Sequence, residues 1–142
     1  MASNRWTKLT LRVTSNVLTA EEIANGLSAK PTLSVNKGDQ VSARSPGAGI
    51  HGRAMCVFNC PLSSEATIDE HLDWLVQFLR QQASGIEAVA DKCEFDVRIG
   101  FSSGSGQGGF VLAADALAVL ARFGADLFVD LYPPEDDADG DE

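Results

Sequence analysis

Residues Thr7 to Ser15, TKLTLRVTS, alternate polar and apolar with Leu9, Leu11 and Val13 on one side, the period of a half-buried strand. Thr19-Ala-Glu-Glu22 follows as a capping box, in which the hydroxyl accepts from a first-turn amide and Glu22 reaches back to the cap. Ala20, Ile23, Ala24 and Leu27 then form the stripe of a short helix that Lys30-Pro31 ends. Pro31 to Gly52 is weakly patterned and rich in Gly, Ser and Pro, which predicts a long loop with one edge strand near Thr32 to Val35. Arg53 to Cys60, RAMCVFNC, reads as a strand. A second capping box, Thr67-Ile-Asp-Glu70, opens the clearest helix. Ile68, Leu72, Leu75 and Leu79 lie at i, i+4, i+7 and i+11, with Asp69, Asp73, Gln77, Arg80 and Gln81 on the opposite arc. Gly85 reads as its end and Ile86 to Ala90 as a short turn or helix before a strand over Glu94 to Phe101. A last helix, about Ala114 to Phe123, stops at Gly124, a left-handed C′ residue. Asp126 to Tyr132 is the final strand, closed by Pro133-Pro134.

Two local features bear on topology. Gly104-Ser105-Gly106-Gln107-Gly108-Gly109 matches G-x-G-x-x-G after a strand and before a helix, and Asp130 lies where a dinucleotide fold places its ribose-binding acid. Against that reading, Phe110-Val111-Leu112 is a β-like run that sets the helix about three residues too far along for its N-terminus to face a pyrophosphate. Residues 102–109 therefore read as a hairpin connection between Glu94–Phe101 and Phe110–Leu112, with glycines supplying positive φ. The segment Val17-Leu-Thr-Ala-Glu-Glu-Ile-Ala24 parallels Val111-Leu-Ala-Ala-Asp-Ala-Leu-Ala118, an echo that suggests two β-α-β-like halves around one sheet. Together these predict a single α+β domain over residues 1–134, with a mostly antiparallel sheet of five or six strands and two or three helices on one face.

Composition narrows the function classes. The 142 residues are enough for one domain with a real core. No apolar run reaches the roughly 18 residues of a membrane span, and the N-terminus lacks the h-region of a signal peptide. A cytoplasmic location without membrane attachment is the expectation. The net charge is −9, but residues 135–142 hold six of the 20 acids and no base. Without them 14 acids stand against 11 Lys plus Arg, a body charge of −3. Residues 135–142 read as an acidic, solvating, disordered tail. With no basic stripe to displace counterions, nucleic acid is not an expected partner.

The candidate chemistry is sparse. Ala54, Cys56, Phe58 and Cys60 share a strand face, so Cys56 and Cys60, with Cys93, read as core thiols. Their spacing suits neither a disulfide nor zinc. His71 falls between Trp74, Phe78 and the leucine stripe as a core-edge residue, and neither it nor His51 completes a catalytic motif. No catalytic residue, metal site or cofactor is expected, and a binding protein is favoured over an enzyme. Two surfaces are candidates for binding. One is the basic loop of residues 30–53, carrying Lys37, Arg44 and Arg53 against Asp39. The other is the aromatic edge of the central helix, Trp74 and Phe78, which either completes the core or anchors a partner. Exposed sheet edges also allow a dimer.

The order of pieces resembles a known bacterial family. The strand LRVTS, then LTAEEIANGLSAKPT, Lys37-Gly38-Asp39, the helix IDEHLDWLVQFL and the closing GGFVLAADALAVLARFGADLFVDLY are together similar to the domain of unknown function 4279 family, over roughly Leu9 to Tyr132. The resemblance implies one compact α+β domain and carries no catalytic site. By analogy with small proteins of bacterial conflict loci, it implies an inhibitor or immunity protein that occludes a toxin or other basic protein. The alternative is a small-ligand or anion-binding domain using the 30–53 loop and the Gly-rich 102–109 loop.

Overall fold

The computed structural model describes residues 6–41, 47, 49–102 and 110–132. In chain order it contains β1 (Trp6–Ser15), α1 (Ala20–Leu27), β2 (Leu33–Val35), β3 (Ala54–Asn59), α2 (Ile68–Gln81), α3 (Ala83–Val89), β4 (Glu94–Ser102), α4 (Ala114–Arg122) and β5 (Asp126–Leu131). The five strands form one open sheet in the order β2-β3-β1-β4-β5. All neighbours are antiparallel except β4 and β5. The α+β class and mostly antiparallel sheet agree with the sequence. The helix number does not, since four are present where two or three were expected.

Alternation in β1 decides which side is covered. Leu9, Leu11 and Val13 meet Ala54, Cys56 and Phe58 of β3 and Phe95, Val97 and Ile99 of β4 in a single core. The helices complete it with Ile23 and Leu27, with Leu72, Leu75 and Leu79, with Ile86 and Val89, and with Val119, Leu120 and Phe123. Both predicted capping boxes are present, Thr19 with Glu22 and Thr67 with Glu70. Ser15 ends β1: its hydroxyl accepts from the Val17 and Leu18 amides at 3.0 and 2.9 Å and donates to the Lys92 carbonyl at 2.7 Å.

The extra helix arises at a glycine. Gly85 does not terminate α2, which ends at Gln81. It lies inside α3, where the missing side chain lets α3 approach α1. A Cβ on Gly85 would overlap the Gly26 carbonyl oxygen and lie 2.9 Å from Leu27 Cα, and one on Gly26 would lie 2.7 Å from Val89 Cγ1. Close helix contact outweighs the low helix propensity of glycine here.

Phe110 to Ala113 have no regular structure, so the hairpin partner read at Phe110–Leu112 is absent. Because β5 runs parallel to β4, the chain has to cross the sheet through α4 rather than turn back. The apolar run instead packs, with Phe110 and Leu112 half-buried against the core and Phe110 edge-on to Phe101 at 5.6 Å. The glycine loop proper, 103–109, lies outside the described residues, as does the acidic tail. The echo has a topological counterpart, since Ala20 and Ala114 are the first residues of α1 and α4. α1 connects β1 to β2, which run parallel because each is antiparallel to the intervening β3. α4 connects β4 to its parallel neighbour. Where α1 has Thr19 as cap, α4 has Ala113 and no side-chain cap.

Gly85→Ala is expected to lower the unfolding free energy by about 2 kcal/mol or more, although alanine is the better helix former by about 1 kcal/mol. Gly52→Ala, where nothing lies within 4 Å of the new Cβ, should change it by less than about 0.5 kcal/mol. Denaturant unfolding of the two variants checks the contrast.

Candidate functional site

With the helices on one side, alternate residues project from the other. They are Trp6, Lys8, Thr10, Arg12 and Thr14 from β1, Asp96, Arg98 and Gly100 from β4, and Asp126, Phe128 and Asp130 from β5, by the strand registers. At the centre Arg12 donates in a fork to Asp96, Nε to Oδ1 at 2.9 Å and Nη2 to Oδ2 at 2.8 Å. Hydrogen bonding to Asp96 raises the Arg12 pKa, against the lowering effect of burial. Arg98 Nε lies 3.6 Å from the same carboxylate, and its guanidinium rests 4.8 Å from the Phe128 ring centre. Both arginines are thus engaged within the sheet.

Toward one end this face forms a shallow cavity of about 390 Å³, bounded by Trp6, Lys8, Thr10, Arg98, Gly100, Asp130 and Tyr132. Its floor is Gly100, where a Cβ would stand 3.3 Å from Tyr132 Cε1 and 3.5 Å from Trp6 Cζ3. The absence of a side chain lets the two rings meet over the strand, with centroids 5.0 Å apart and planes at 50°. Lys8 Nζ is 6.0 Å from the Trp6 ring. Asp130 has no ion pair among the described residues. An aromatic pair, an ammonium and a carboxylate without an ion pair among the described residues thus line one patch.

The sequence-derived candidates are dispersed. Trp74 stacks on Phe78 at 5.1 Å and Phe78 meets Phe58 at 5.5 Å, both half-buried against the core on the helix side. Lys37 is exposed beside a second cleft of about 240 Å³, lined by residues 15–19, Asn36 and Ala54. Amides around that cleft are engaged by the chain's own side chains: Ala20 N–H donates to Asn36 Oδ1 at 2.9 Å and Glu22 N–H to Thr19 Oγ1 at 3.1 Å. The basic loop is also less free than its composition suggests. Arg53 Nη1 donates to Glu94 Oε1 at 2.8 Å, and its buried Nε has no partner among the described residues. Arg44 and the 103–109 loop lie outside them. The cleft beside Lys37 holds neither Arg53 nor the α2 aromatics.

Sequence reading missed Trp6, Lys8, Arg98, Gly100, Asp130 and Tyr132 as a group. The available signal was the polar side of the β1 alternation, together with a glycine inside the β4 pattern, which often marks close approach by another group.

His71 is buried rather than at the core edge, with Nε2 3.1 Å from the Ser63 carbonyl and Nδ1 unpartnered among the described residues. The covered arc of α2 is wider than the leucine stripe and takes in His71 and Val76 beside Leu72, Leu75 and Leu79. All three cysteines are free, Cys56 buried and Cys60 and Cys93 half-buried. No cluster of three metal-ligating side chains forms among the described residues. No helix described is long and apolar enough to cross a membrane.

Burial raises the pKa of each thiol, foremost by desolvation. Since the folded pKa values exceed the unfolded ones, this contribution to stability is full below the ordinary thiol pKa of about 8.5 and is lost as pH rises through the raised values. A thiol reagent at about pH 8 is therefore expected to modify the folded chain far more slowly than the denatured chain, and unfolding free energy should fall above that range. Rapid modification of all three cysteines in the native state contradicts this.

Comparison with known proteins places the chain. No curated protein and no solved structure matches it. A family model described as a domain of unknown function (DUF4279) matches residues 4–134, which take in every strand and helix from β1 to β5 and the Trp6–Gly100–Tyr132 patch. The chain belongs to the DUF4279 family.

Proposed function

We propose that this domain is a non-enzymatic binding protein, of the inhibitor or immunity class, that occludes a basic protein partner with the uncovered face of its sheet. The observation that carries the reading is the Trp6–Tyr132 pair over Gly100, flanked by Lys8 and by Asp130, which has no ion pair among the described residues. Trp6 on the central strand and Tyr132 at the end of the edge strand together offer a large aromatic contact area, and such residues dominate interface energetics. The cavity is open rather than enclosing, which suits docking better than engulfing a small molecule. The net charge of −9 favours a cationic partner and steers its approach. A cytoplasmic partner, such as a toxin acting inside the cell, fits this reading.

The test is a pull-down from the native host followed by measured affinities for any captured protein. Trp6→Ala is expected to weaken binding by at least about tenfold, and Lys8→Glu to strengthen it toward a basic partner, with association slowing as salt rises. If both variants bind as the parent does while remaining folded, the sheet face is not the docking site.

A further inference from the structure

β5 is an edge strand with apolar side chains on both faces. The Tyr132 N–H donates to the Phe101 carbonyl at 2.9 Å. Consecutive residues of a strand direct their backbone groups to opposite edges, so the even-numbered positions bond toward β4 and Leu127, Val129 and Leu131 present N–H and C=O outward. The side chains of the same three residues project to the helix side of the sheet, where Leu127 packs half-buried against the core but Val129 and Leu131 are left exposed. Ile99 is 1% exposed, whereas Val129 beside it in the register is 41% exposed and Leu131 is 58% exposed. On the other face Phe128 and Tyr132 are also exposed. An edge of this kind, with apolar side chains on both faces and no partner strand on its outer side among the described residues, invites another strand.

We infer that β5 pairs antiparallel with β5 of a second copy of this chain, about a twofold axis through Val129, joining the two sheets edge to edge. Side-chain alternation restricts the pairing to registers that keep helix-side residues opposite one another. Among these, an axis through Phe128 sets Asp126 opposite Asp130 of the second copy, twice. An axis through Asp130 sets the two Asp130 side chains against each other. Like charges directly opposed are unfavourable in both cases. The axis through Val129 avoids both: Val129 meets its own copy, Leu127 meets Leu131 of the second copy, and the helix side is apolar along the whole contact. Leu127, Val129 and Leu131 then exchange paired backbone hydrogen bonds.

Charge complementarity on the other face identifies the occupant as a copy of β5 rather than an arbitrary strand. In this register Asp130 of the second copy lies opposite Phe128, whose ring carries Arg98 4.8 Å from its centre. Arg98 and Asp130 each lie two strands apart across the junction, and the guanidinium side chain is long enough to cross the ring to a carboxylate that has no ion pair within its own chain among the described residues. The twofold repeats the contact.

Sedimentation of the full chain over a concentration series should show a dimer of the 15.1 kDa protein. Val129→Lys places two ammonium groups on the axis and is expected to weaken self-association by about a hundredfold, with Leu131→Lys as a second probe and thermal unfolding as the control for folding. In a Cys60→Ser, Cys93→Ser background, Val129→Cys should form a reducible disulfide-linked dimer, since hydrogen-bonded antiparallel pairs place Cα atoms about 5.5 Å apart. A protein monomeric throughout, or a dimer indifferent to both lysine variants, overturns the proposal. Cross-linking through Phe128→Cys or Asp130→Cys in place of Val129→Cys overturns the register.

Discussion

The structure depends on β1 being bonded along both edges while only one of its faces is apolar. Its pairing with β3 and β4 satisfies the backbone on both sides, so the strand cannot rotate to hide its polar alternates. Leu9, Leu11 and Val13 recruit the helices to one side. Trp6, Lys8, Thr10, Arg12 and Thr14 are then obliged to face the other, and their neighbours on β4 and β5 follow by register. The Arg12–Asp96 fork belongs to this consequence. Its side chains are 29% and 27% exposed, so it is worth about 1 kcal/mol at most. Its larger role is to neutralise the centre of an uncovered face and leave the distinctive chemistry at one end, over Gly100.

The two crossovers reconcile a mostly antiparallel sheet with a repeated sequence. α1 and α4 begin at corresponding positions of the echo and each joins a pair of parallel strands, but β3 is inserted between the first pair and nothing between the second. The insertion gives β1 a neighbour on both sides and leaves β5 at the margin. Local sequence differs accordingly. Thr19 caps α1, whereas α4 starts from Ala113 with only the Asp115 side chain bonding the adjacent Ala116 amide at 2.9 Å. The margin of the sheet thus joins an uncapped helix to a strand that its own helices leave open.

Much of the fold was legible because its signals are local. Capping boxes, the 3.6-residue stripe of α2 and the alternation of β1, β3 and β4 all arise from neighbours in sequence. The misreadings fall where a distant contact decides. Gly85 has the look of a helix stop, and only the approach of Gly26 on α1 explains a glycine inside α3. Phe110-Val111-Leu112 has β-like composition, and only the parallel direction of β5 determines that it leads into a crossover. The candidate site was harder still. Trp6 and Tyr132 stand at opposite ends of the described chain and Gly100 between them, so no window of sequence contains the patch. Composition drew attention instead to residues 30–53, whose Arg53 is tied to Glu94 from β4, a partnership that spacing does not encode.

The placement of β1 has a consequence for biosynthesis. Its first edge is closed by residues 54–59 and its second by residues 94–102, so the central strand is made well before either partner and is paired along both edges only after β4 has been added. Contacts of such sequence separation slow folding. Leu9, Leu11 and Val13 meanwhile remain an unprotected apolar stretch on the nascent polypeptide. Fragments ending before β4 leave one edge of the central strand unpaired and the apolar side chains of Phe95, Val97 and Ile99 missing from the core, so they amount to an open sheet rather than a smaller domain.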